Sequence, residues 1–260
     1  MLRFVRVESL DCYEFSIARR HTHQGWRAPE RGVMSDSNRV ARAPRPLSEY
    51  PVVLFDFDGT VADTQPAIFR VAIQIMREHG YDPDPSKMLS MIGPPLEDGF
   101  ALVCGMDKDE ARECADAYRE LFSRTVTPDE FPLMPGMREL LDGLVTSGRR
   151  VAVATSRMEA SAQEMVASLG LTQFEAVIGR VHGVRYSKAE SIEGALQALR
   201  VPARDAVMVG DRMHDVIGAR EWEIPCIGLY SGAAYPGELE EAGAVATCHS
   251  VKELAQLLGL

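Results

Sequence analysis

The sequence is poor in lysine, has no excess of basic charge and contains no long apolar run. Only four of its 28 basic residues are lysine, and 38 acidic residues give a formal net charge of −10. A surface of this charge does not favour a nucleic-acid polymer as a partner. No apolar run approaches the ~20 residues that cross a membrane. The five cysteines are scattered without CxxC spacing, which is typical of reduced thiols in the cytoplasm.

The first 47 residues differ in charge from the rest of the chain. They hold nine arginines against five acidic residues, a charge of +4, which leaves −14 for the remainder. No apolar core of a signal peptide follows the basic start, and Glu8, Asp11 and Glu14 argue against an organellar presequence. Met34 is a candidate alternative start. We expect residues 1–47 to form a disordered N-terminal extension.

The rest of the chain is organised around two aspartates that follow a short apolar run. Residues 51–55 are typical of a buried strand, and Asp56 and Asp58 come directly after it, followed by Gly59. In open α/β sheets, ligands bind outside the carboxyl ends of the strands. Two carboxylates held this close repel each other unless a cation or a shared proton intervenes. The spacing therefore indicates a metal site.

Residues 66–132 show helical signals and no strand signal. Pro66 suits a first helical turn, Gly80 ends the first helix, and apolar residues recur between them at helical spacing. Further helices are predicted over 86–91, 96–103 and 108–126, the last with Asp107 as N-cap. An all-helical block inserted after the first strand indicates a cap that closes over an active site. A helical insertion without function is the alternative.

From Pro135 onward helices and strands alternate, which is typical of a parallel sheet. Strands are predicted at 150–155, 176–178, 206–209 and 225–229, and helices at 136–147, 158–169, 187–199, 212–222, 236–241 and 251–258. The predicted fold class is α/β, a doubly wound, Rossmann-like parallel sheet core with an inserted all-helical cap domain. We assign 48–65 and 133–260 to the core and 66–132 to the cap.

Three further stretches place polar residues at strand ends or helix starts. Thr155 and Ser156 end a strand, where a hydroxyl can bind phosphate, although alone it more often caps a helix. Lys188 begins a helix, where the helix dipole disfavours a cation unless it has a partner; otherwise it is a solvated surface lysine. Asp211 follows a strand, and Asp215 lies one helical turn later, so that both acids can face one site.

Together these stretches resemble the haloacid-dehalogenase-like phosphatase superfamily. The segments DFDGT, ATS, SKAESIEGAL and GDRMHD follow the four motifs of that family in order. The resemblance implies that Asp56 is the nucleophile and Asp58 the general acid/base. It implies that Thr155 and Lys188 bind the transferred phosphoryl group and that Lys188 neutralises Asp56. Ser156 is a further candidate phosphate ligand and a candidate helix cap.

The same resemblance implies a magnesium site. The carboxylates of Asp56 and Asp211 and the backbone carbonyl of Asp58 are the candidate ligands. Asp215 is not expected to bind the metal directly but to orient a water molecule or Lys188 next to these ligands. We interpret His214 as an exposed helix residue. Mg²⁺ is the expected cofactor, since it prefers hard oxygen ligands.

The implied activity is Mg²⁺-dependent hydrolysis of a small phosphate monoester through an aspartyl-phosphate. The stretches IGPPL (92–96), ATS (154–156), VMVGDRMHD (207–215) and ELEEAGA (238–244) resemble the phosphoglycolate phosphatase and 5′-nucleotidase branch of the family. This resemblance implies a small phosphorylated metabolite as the partner. Gly93 and its neighbours are candidate substrate contacts. A phosphomutase of the β-phosphoglucomutase type shares the four motifs and stays open. A non-catalytic phosphate-binding regulator is the remaining alternative, but it would be expected to have lost one of the motif residues, and none is lost.

Overall fold

The computed structural model describes residues 43–231 and 233–260. Most of the predicted N-terminal extension, residues 1–42, lies outside the described residues. The extension was predicted to run to residue 47, but Arg45 already contacts the folded core. Its guanidinium donates to the carbonyl of Arg204 at 2.7 Å and lies 4.2 Å from the centre of the Tyr50 ring. Residues 43–47, which we assigned to the extension, are therefore part of the described structure.

The core of the fold is a six-stranded, wholly parallel sheet in the order β3-β2-β1-β4-β5-β6. The strands are β1 (Val52–Phe55), β2 (Arg150–Met158), β3 (Phe174–Arg180), β4 (Ala206–Gly210), β5 (Cys226–Leu229) and β6 (Ala246–Cys248). The chain builds outward from β1 on one side and then returns to build from β4 on the other. This is the doubly wound order, and its switch point lies between β1 and β4. The predicted fold class is confirmed.

Helices cover both faces of the sheet. The α-helices of the described residues are α1 (Gln65–Glu78), α2 (Leu96–Cys104), α3 (Lys108–Thr125), α4 (Met137–Thr146), α5 (Glu159–Ser168), α6 (Lys188–Leu199), α7 (Met213–Arg220), α8 (Glu238–Ala242) and α9 (Val251–Leu257). Short 3₁₀ helices cover Leu47–Glu49, Pro85–Met91, Pro128–Glu130 and Ala203–Asp205. Strands β1 and β4 are buried along their whole length, as expected for a parallel sheet covered on both faces.

The segment between β1 and β2 is helical, as predicted. It leaves and rejoins the core through an antiparallel bridge between Ala62 and Leu133 and a hydrogen bond from the Asp63 amide to the Pro132 carbonyl, 2.8 Å. Its first helix buries the predicted apolar stripe, and Asp107 caps α3 by accepting two backbone N–H bonds. The boundaries that we give to the cap, 66–132, and to the core, 48–65 with 133–260, stay a prediction.

Two local predictions are wrong. Strand β6 was not predicted, because three residues are too few to show a period. Strand β2 does not end at Thr155 but continues to Met158, where pairing with β3 resumes after a break that follows Ala154. Helix α5 therefore begins at Glu159, with Met158 as its N-cap. Ser156 lies within the strand and does not cap the helix.

The apolar core lies in two layers, one on each face of the sheet. The larger layer is continuous from the β1 face into the helical segment, where Phe100 and Tyr118 are buried. No helix of the described residues is long and apolar enough to cross a membrane.

Candidate active site

Three acidic side chains meet where β1 and β4 end. Asp56 follows the last residue of β1, and its amide donates to the Val209 carbonyl of β4 at 2.9 Å. Asp211 follows the last residue of β4, and Asp215 lies in the first turn of α7. All three carboxylates are buried, with oxygen atoms within 4.8 Å of one another. The two separate sequence stretches that were predicted to share one site do so.

A tight turn after β1 brings the chain close to the Asp211 carboxylate. The Phe57 carbonyl accepts backbone N–H bonds from the residues that follow it, including Ala62 at 3.1 Å. Gly59 takes a φ of +77°, and a Cβ placed on it would lie 2.4 Å from Oδ2 of Asp211. The Thr60 hydroxyl lies 3.4 Å from Oδ1 of the same carboxylate. The turn thus needs a glycine both for its conformation and for the close approach.

Lys188 is buried among these acids and is not a surface lysine. Its Nζ lies 2.5 Å from Oδ1 of Asp56 and 2.6 Å from Oδ1 of Asp215, and it donates to the Ala154 carbonyl at 2.8 Å. Burial lowers the pKa of Lys188, but Asp215 and Asp56 outweigh it, so that the pKa is raised and the ammonium stays charged. The N-terminus of α6 is capped instead by the hydroxyl of Ser187.

Asp215 is held in place by both its carboxylate oxygens. One accepts from the Arg212 amide at 3.0 Å, which fixes the side chain on the first turn of α7, and the other pairs with Lys188. Gly210 makes room for it, since a Cβ there would lie 2.2 Å from Cγ of Asp215. This placement agrees with the prediction that Asp215 orients Lys188, although its role stays a prediction.

The charges of the site favour a divalent cation. Burial is the main cause that raises the pKa of Asp56 to about 7, and it raises the pKa of Asp211 well above its ordinary value. Oδ2 of Asp211 is a buried acceptor with no hydrogen-bond partner. Three buried carboxylates face one lysine, so the fully ionised set carries excess negative charge that a hard dication with oxygen ligands would neutralise. The residues present therefore fit Mg²⁺.

A cavity of about 490 Å³ opens above these residues. Asp56, Asp58, Thr155, Ser156 and Lys188 line it together, so the structure brings the predicted phosphate-binding residues to the same cavity as the acids. Thr155 is buried, and its hydroxyl accepts the Arg157 amide N–H at 3.2 Å. The opposite wall is mostly apolar and is formed largely by the helical segment, with Ile68, Met91, Leu96, Tyr118, Phe122 and Phe131 among its residues.

Arg157 is a site residue that the sequence analysis missed. Its guanidinium donates hydrogen bonds to both oxygens of the Asp58 carboxylate, with Nη2 2.7 Å from Oδ1 and Nε 3.0 Å from Oδ2. Its place two residues after Thr155 was only a weak signal, because β2 is irregular between Ala154 and Met158 and the two-residue alternation of a regular strand does not hold there. The predicted end of the strand at Thr155 concealed it.

The interpretation of His214 as an exposed residue is wrong. His214 is partly buried and lines the cavity, because the chain near Gly93 covers the start of α7. Gly93 has a φ of +103°, and a Cβ on it would lie 2.7 Å from Cδ2 of His214. The Arg212 guanidinium donates to the carbonyls of Leu89, at 3.1 Å, and Ile92. The sequence alone could not show which core residues the helical segment would cover.

Comparison with known proteins agrees with this geometry. The family model described as haloacid dehalogenase-like hydrolase matches residues 53–229. The chain is 34% identical to a 5′-nucleotidase of Pseudomonas aeruginosa, over 80% of this chain and 96% of that protein. It is 30% identical to a phosphoglycolate phosphatase of Agrobacterium fabrum, over 72% of this chain and 83% of that protein.

The chain is also similar to a protein named as a kinase and to a solved phosphatase structure. The chain is 32% identical to the tyrosine-protein kinase PtkA of Mycobacterium tuberculosis, over 84% of this chain and 76% of that protein. A crystal structure of a predicted phosphatase from Clostridium acetobutylicum superposes with a TM-score of 0.74 at 31% identity, covering 80% of this chain and 97% of that one.

Proposed function

We propose that this chain, which belongs to the haloacid dehalogenase-like hydrolase family and is a phosphoric monoester hydrolase, acts through a phosphoryl group carried on Asp56. The observation that supports this most strongly is the contact of Lys188 with Asp56 and Asp215 at the base of the cavity. This contact holds a carboxylate, a fixed cation and a second acid around the point where a phosphate would enter.

In the first step a carboxylate oxygen of Asp56 attacks the phosphorus of the monoester. The bond between phosphorus and the ester oxygen breaks, and the leaving oxygen takes a proton from Asp58, so that an alcohol departs. The phosphoryl group is then covalently bound to Asp56, and Asp58 is left as a carboxylate. The aspartyl-phosphate replaces one difficult displacement with two easier ones.

In the second step Asp58 takes a proton from a water molecule, whose oxygen attacks the same phosphorus. The bond between phosphorus and the Asp56 oxygen breaks, inorganic phosphate leaves, and both aspartates return to their starting states. Asp58 acts first as acid and then as base, so it must reach both the leaving oxygen and the water. One water is consumed for each ester cleaved.

Phosphoryl transfer depends mainly on positioning and on neutralising charge at the phosphoryl oxygens. Lys188 supplies a fixed positive charge beside Asp56 without needing to move. Thr155 and Ser156 line the cavity beside it, and we assign their hydroxyls to the phosphoryl oxygens. Asp215 keeps Lys188 in this position and charged.

The carboxylates of Asp56 and Asp211 and the carbonyl of Asp58 would hold Mg²⁺. When bound, the ion would offset the charge of the acids and of the phosphate and orient the phosphoryl group. Oδ2 of Asp211 supports this assignment, because it is buried, has no hydrogen-bond partner and could bind the ion.

We propose a nucleoside 5′-monophosphate, phosphoglycolate or a similar small metabolite as substrate, since relatives are named 5′-nucleotidase and phosphoglycolate phosphatase. Residues 66–132 would act as the cap that selects it, because they form most of the apolar wall of the cavity. The cytoplasm is the compartment that we propose, because Cys104, Cys114, Cys226 and Cys248 are free thiols.

A substrate panel with two product assays tests this function. Nucleoside monophosphates, phosphoglycolate, sugar phosphates and phosphotyrosine are incubated with the chain and Mg²⁺, and inorganic phosphate and isomerised sugar phosphate are both measured. We expect phosphate release that Asp56→Asn abolishes. Isomerised sugar phosphate without phosphate release would favour the mutase. Since one relative is named a tyrosine-protein kinase, transfer from ATP to a protein tyrosine with no hydrolysis of any monoester would also contradict the proposal.

A further inference from the structure

The carboxylate of Asp58 does not face the cavity alone, because Arg157 holds it. The two side chains form a bidentate pair, and only 10% of the arginine and 16% of the aspartate side chain is exposed. A guanidinium that contacts both oxygens of a carboxylate fixes the plane of the carboxylate as well as its position. Asp58 is therefore oriented by a residue of a different strand, 99 positions later in the chain.

The same guanidinium has contacts on both sides of the cavity, since Nη1 lies 3.4 Å from the Ser161 hydroxyl of α5 and the group also contacts the helical segment. Its central carbon lies 4.8 Å from the centre of the Phe122 ring on α3, a cation–π distance. Phe122 is buried and packs 5.5 Å from the Tyr118 ring, which in turn lies edge-on to Phe100 of α2 at 6.2 Å. The arginine thus lies between a core carboxylate and an aromatic cluster that belongs to the helical segment.

We propose that Arg157 is a positioning residue through which the helical segment sets the orientation of Asp58. This inference rests on the acid/base role of Asp58 in the proposed function. The water that attacks the phosphorylated Asp56 must lie within hydrogen-bond reach of Asp58. While Phe122 of α3 packs against Arg157, the guanidinium holds the Asp58 carboxylate in one orientation toward the attacking water. When that contact is lost, the carboxylate can rotate out of this orientation. Arg157 itself exchanges no proton with substrate or water.

Arg180 provides a matched comparison in the neighbouring strand. It ends β3, directly beside Met158 at the end of β2, and its guanidinium also reaches the helical segment, pairing with Glu97 of α2 at 3.5 Å. It therefore joins the same two parts of the molecule as Arg157 does. Arg180 also lines the cavity, but the structure shows no contact between it and Asp58, so its loss weakens the connection without removing the pair that orients Asp58.

The test follows the phosphorylated enzyme itself. The full chain with Mg²⁺ is mixed with an aryl phosphate, quenched in acid and examined by intact mass spectrometry. Because an aryl leaving group needs little protonation, a misplaced Asp58 should slow the second step more than the first. We expect Arg157→Met to slow dephosphorylation by roughly 10- to 100-fold, the scale of an ångström-sized misplacement, and to accumulate phosphoenzyme. Arg180→Met should not accumulate it.

Two further variants separate positioning from folding. Arg157→Lys keeps the charge but loses the two-pronged contact, so it should accumulate phosphoenzyme to a smaller extent. Phe122→Leu keeps an apolar side chain but removes the ring, and it should also increase the fraction of phosphorylated enzyme. Should Arg157→Met not fold, the Phe122→Leu and Arg157→Lys results decide the question.

Asp58→Asn serves as the reference. If it accumulates phosphoenzyme while the Arg157 and Phe122 variants only lose turnover, the positioning role is wrong and the proposed function stands. If Asp58→Asn itself stays unmodified while binding Mg²⁺, the acid/base role fails and the inference fails with it. Accumulation in Arg180→Met equal to that in Arg157→Met would also overturn the inference, because any loosened connection would then suffice.

Discussion

The Nζ of Lys188 lies 2.5 Å from Oδ1 of Asp56, although 132 positions separate the two residues. The doubly wound sheet brings them together, since Asp56 directly follows the central strand β1 and Lys188 begins the helix that follows β3. The ammonium also contacts Asp215, which lies in the first turn of α7, the helix that follows β4. One buried cation thus joins three separate parts of the chain at the site where we place the phosphoryl group.

Replacing Lys188 by alanine should reduce kcat by roughly 10²–10³, the range for the loss of one preorganised charge-stabilising donor. The matched control is Lys108→Ala, because Lys108 also begins a helix but is exposed. Steady-state kinetics of both variants give the comparison. Near-normal turnover of Lys188→Ala would contradict its role.

Gly59→Ala should weaken Mg²⁺ binding as well as stability. The new Cβ would meet Asp211 at 2.4 Å, and the backbone has a φ of +77°. Gly80→Ala is the control, since Gly80 has a φ of +83° but nothing within 4 Å of its Cβ position. Both variants should lose about 1 kcal/mol from the left-handed backbone. Calorimetric titration with Mg²⁺ should show weaker binding in Gly59→Ala alone, and equal affinities would count against Asp211 as a ligand.

The metal-free protein should lose stability as the pH rises through neutrality. Burial raises the pKa of Asp56 from 3.8 to about 7, against the opposing charge of Lys188. A raised folded-state pKa contributes stability that is complete below the unfolded-state value and is lost as the pH rises through about 7. The Asp56→Asn variant has no carboxyl at position 56 to ionise, whereas the Asp211 carboxyl is still present, so the variant isolates the contribution of Asp56.

The measurement is the Tm of both proteins in EDTA from acid to mildly alkaline pH. The Tm of Asp56→Asn minus that of the unchanged chain should grow between about pH 4 and 7, the window set by the two pKa values of Asp56. Parallel curves would show that Asp56 is not destabilised by burial.

Removing divalent cations should abolish hydrolysis, and Mg²⁺ should restore it. Ca²⁺ should inhibit, because it accepts bidentate carboxylates and higher coordination numbers, which would occupy the oxygen of Asp56 that must attack. Mg²⁺ should also raise the Tm of the unchanged chain by preferential binding to the folded state, but not that of Asp211→Asn. Full activity in the presence of EDTA would refute the metal role.

Most of the fold could be predicted because its signals are local. The strand before Asp56, the stripe of α1 and the cap at Asp107 each depend on neighbours in sequence, and each is found where predicted. The three-residue strand β6 has too few residues for a period and owes its place to pairing with β5.

The parts of the site that were missed depend on contacts between distant elements. The position of Ser156 within β2 reflects pairing with β3, and the burial of His214 reflects the loop at Gly93. The pair between Arg157 and Asp58 needs β1 and β2 side by side, with Phe122 above them. A single sequence shows what each residue can do chemically but not which residue it faces across the fold.

The central claim is that Asp56 carries the phosphoryl group while Asp58 moves the protons. Asp58→Asn keeps the backbone carbonyl that we assign to the metal, and an aryl phosphate needs little protonation to leave, so the first step should proceed. The second step lacks its base, and phosphoenzyme should accumulate. The most direct measurement is intact mass spectrometry of this variant after mixing with an aryl phosphate and Mg²⁺ and quenching in acid. We predict one added phosphoryl group in Asp58→Asn and none in Asp56→Asn, whereas unmodified protein in both variants, with Mg²⁺ binding intact, would contradict these roles of the two aspartates.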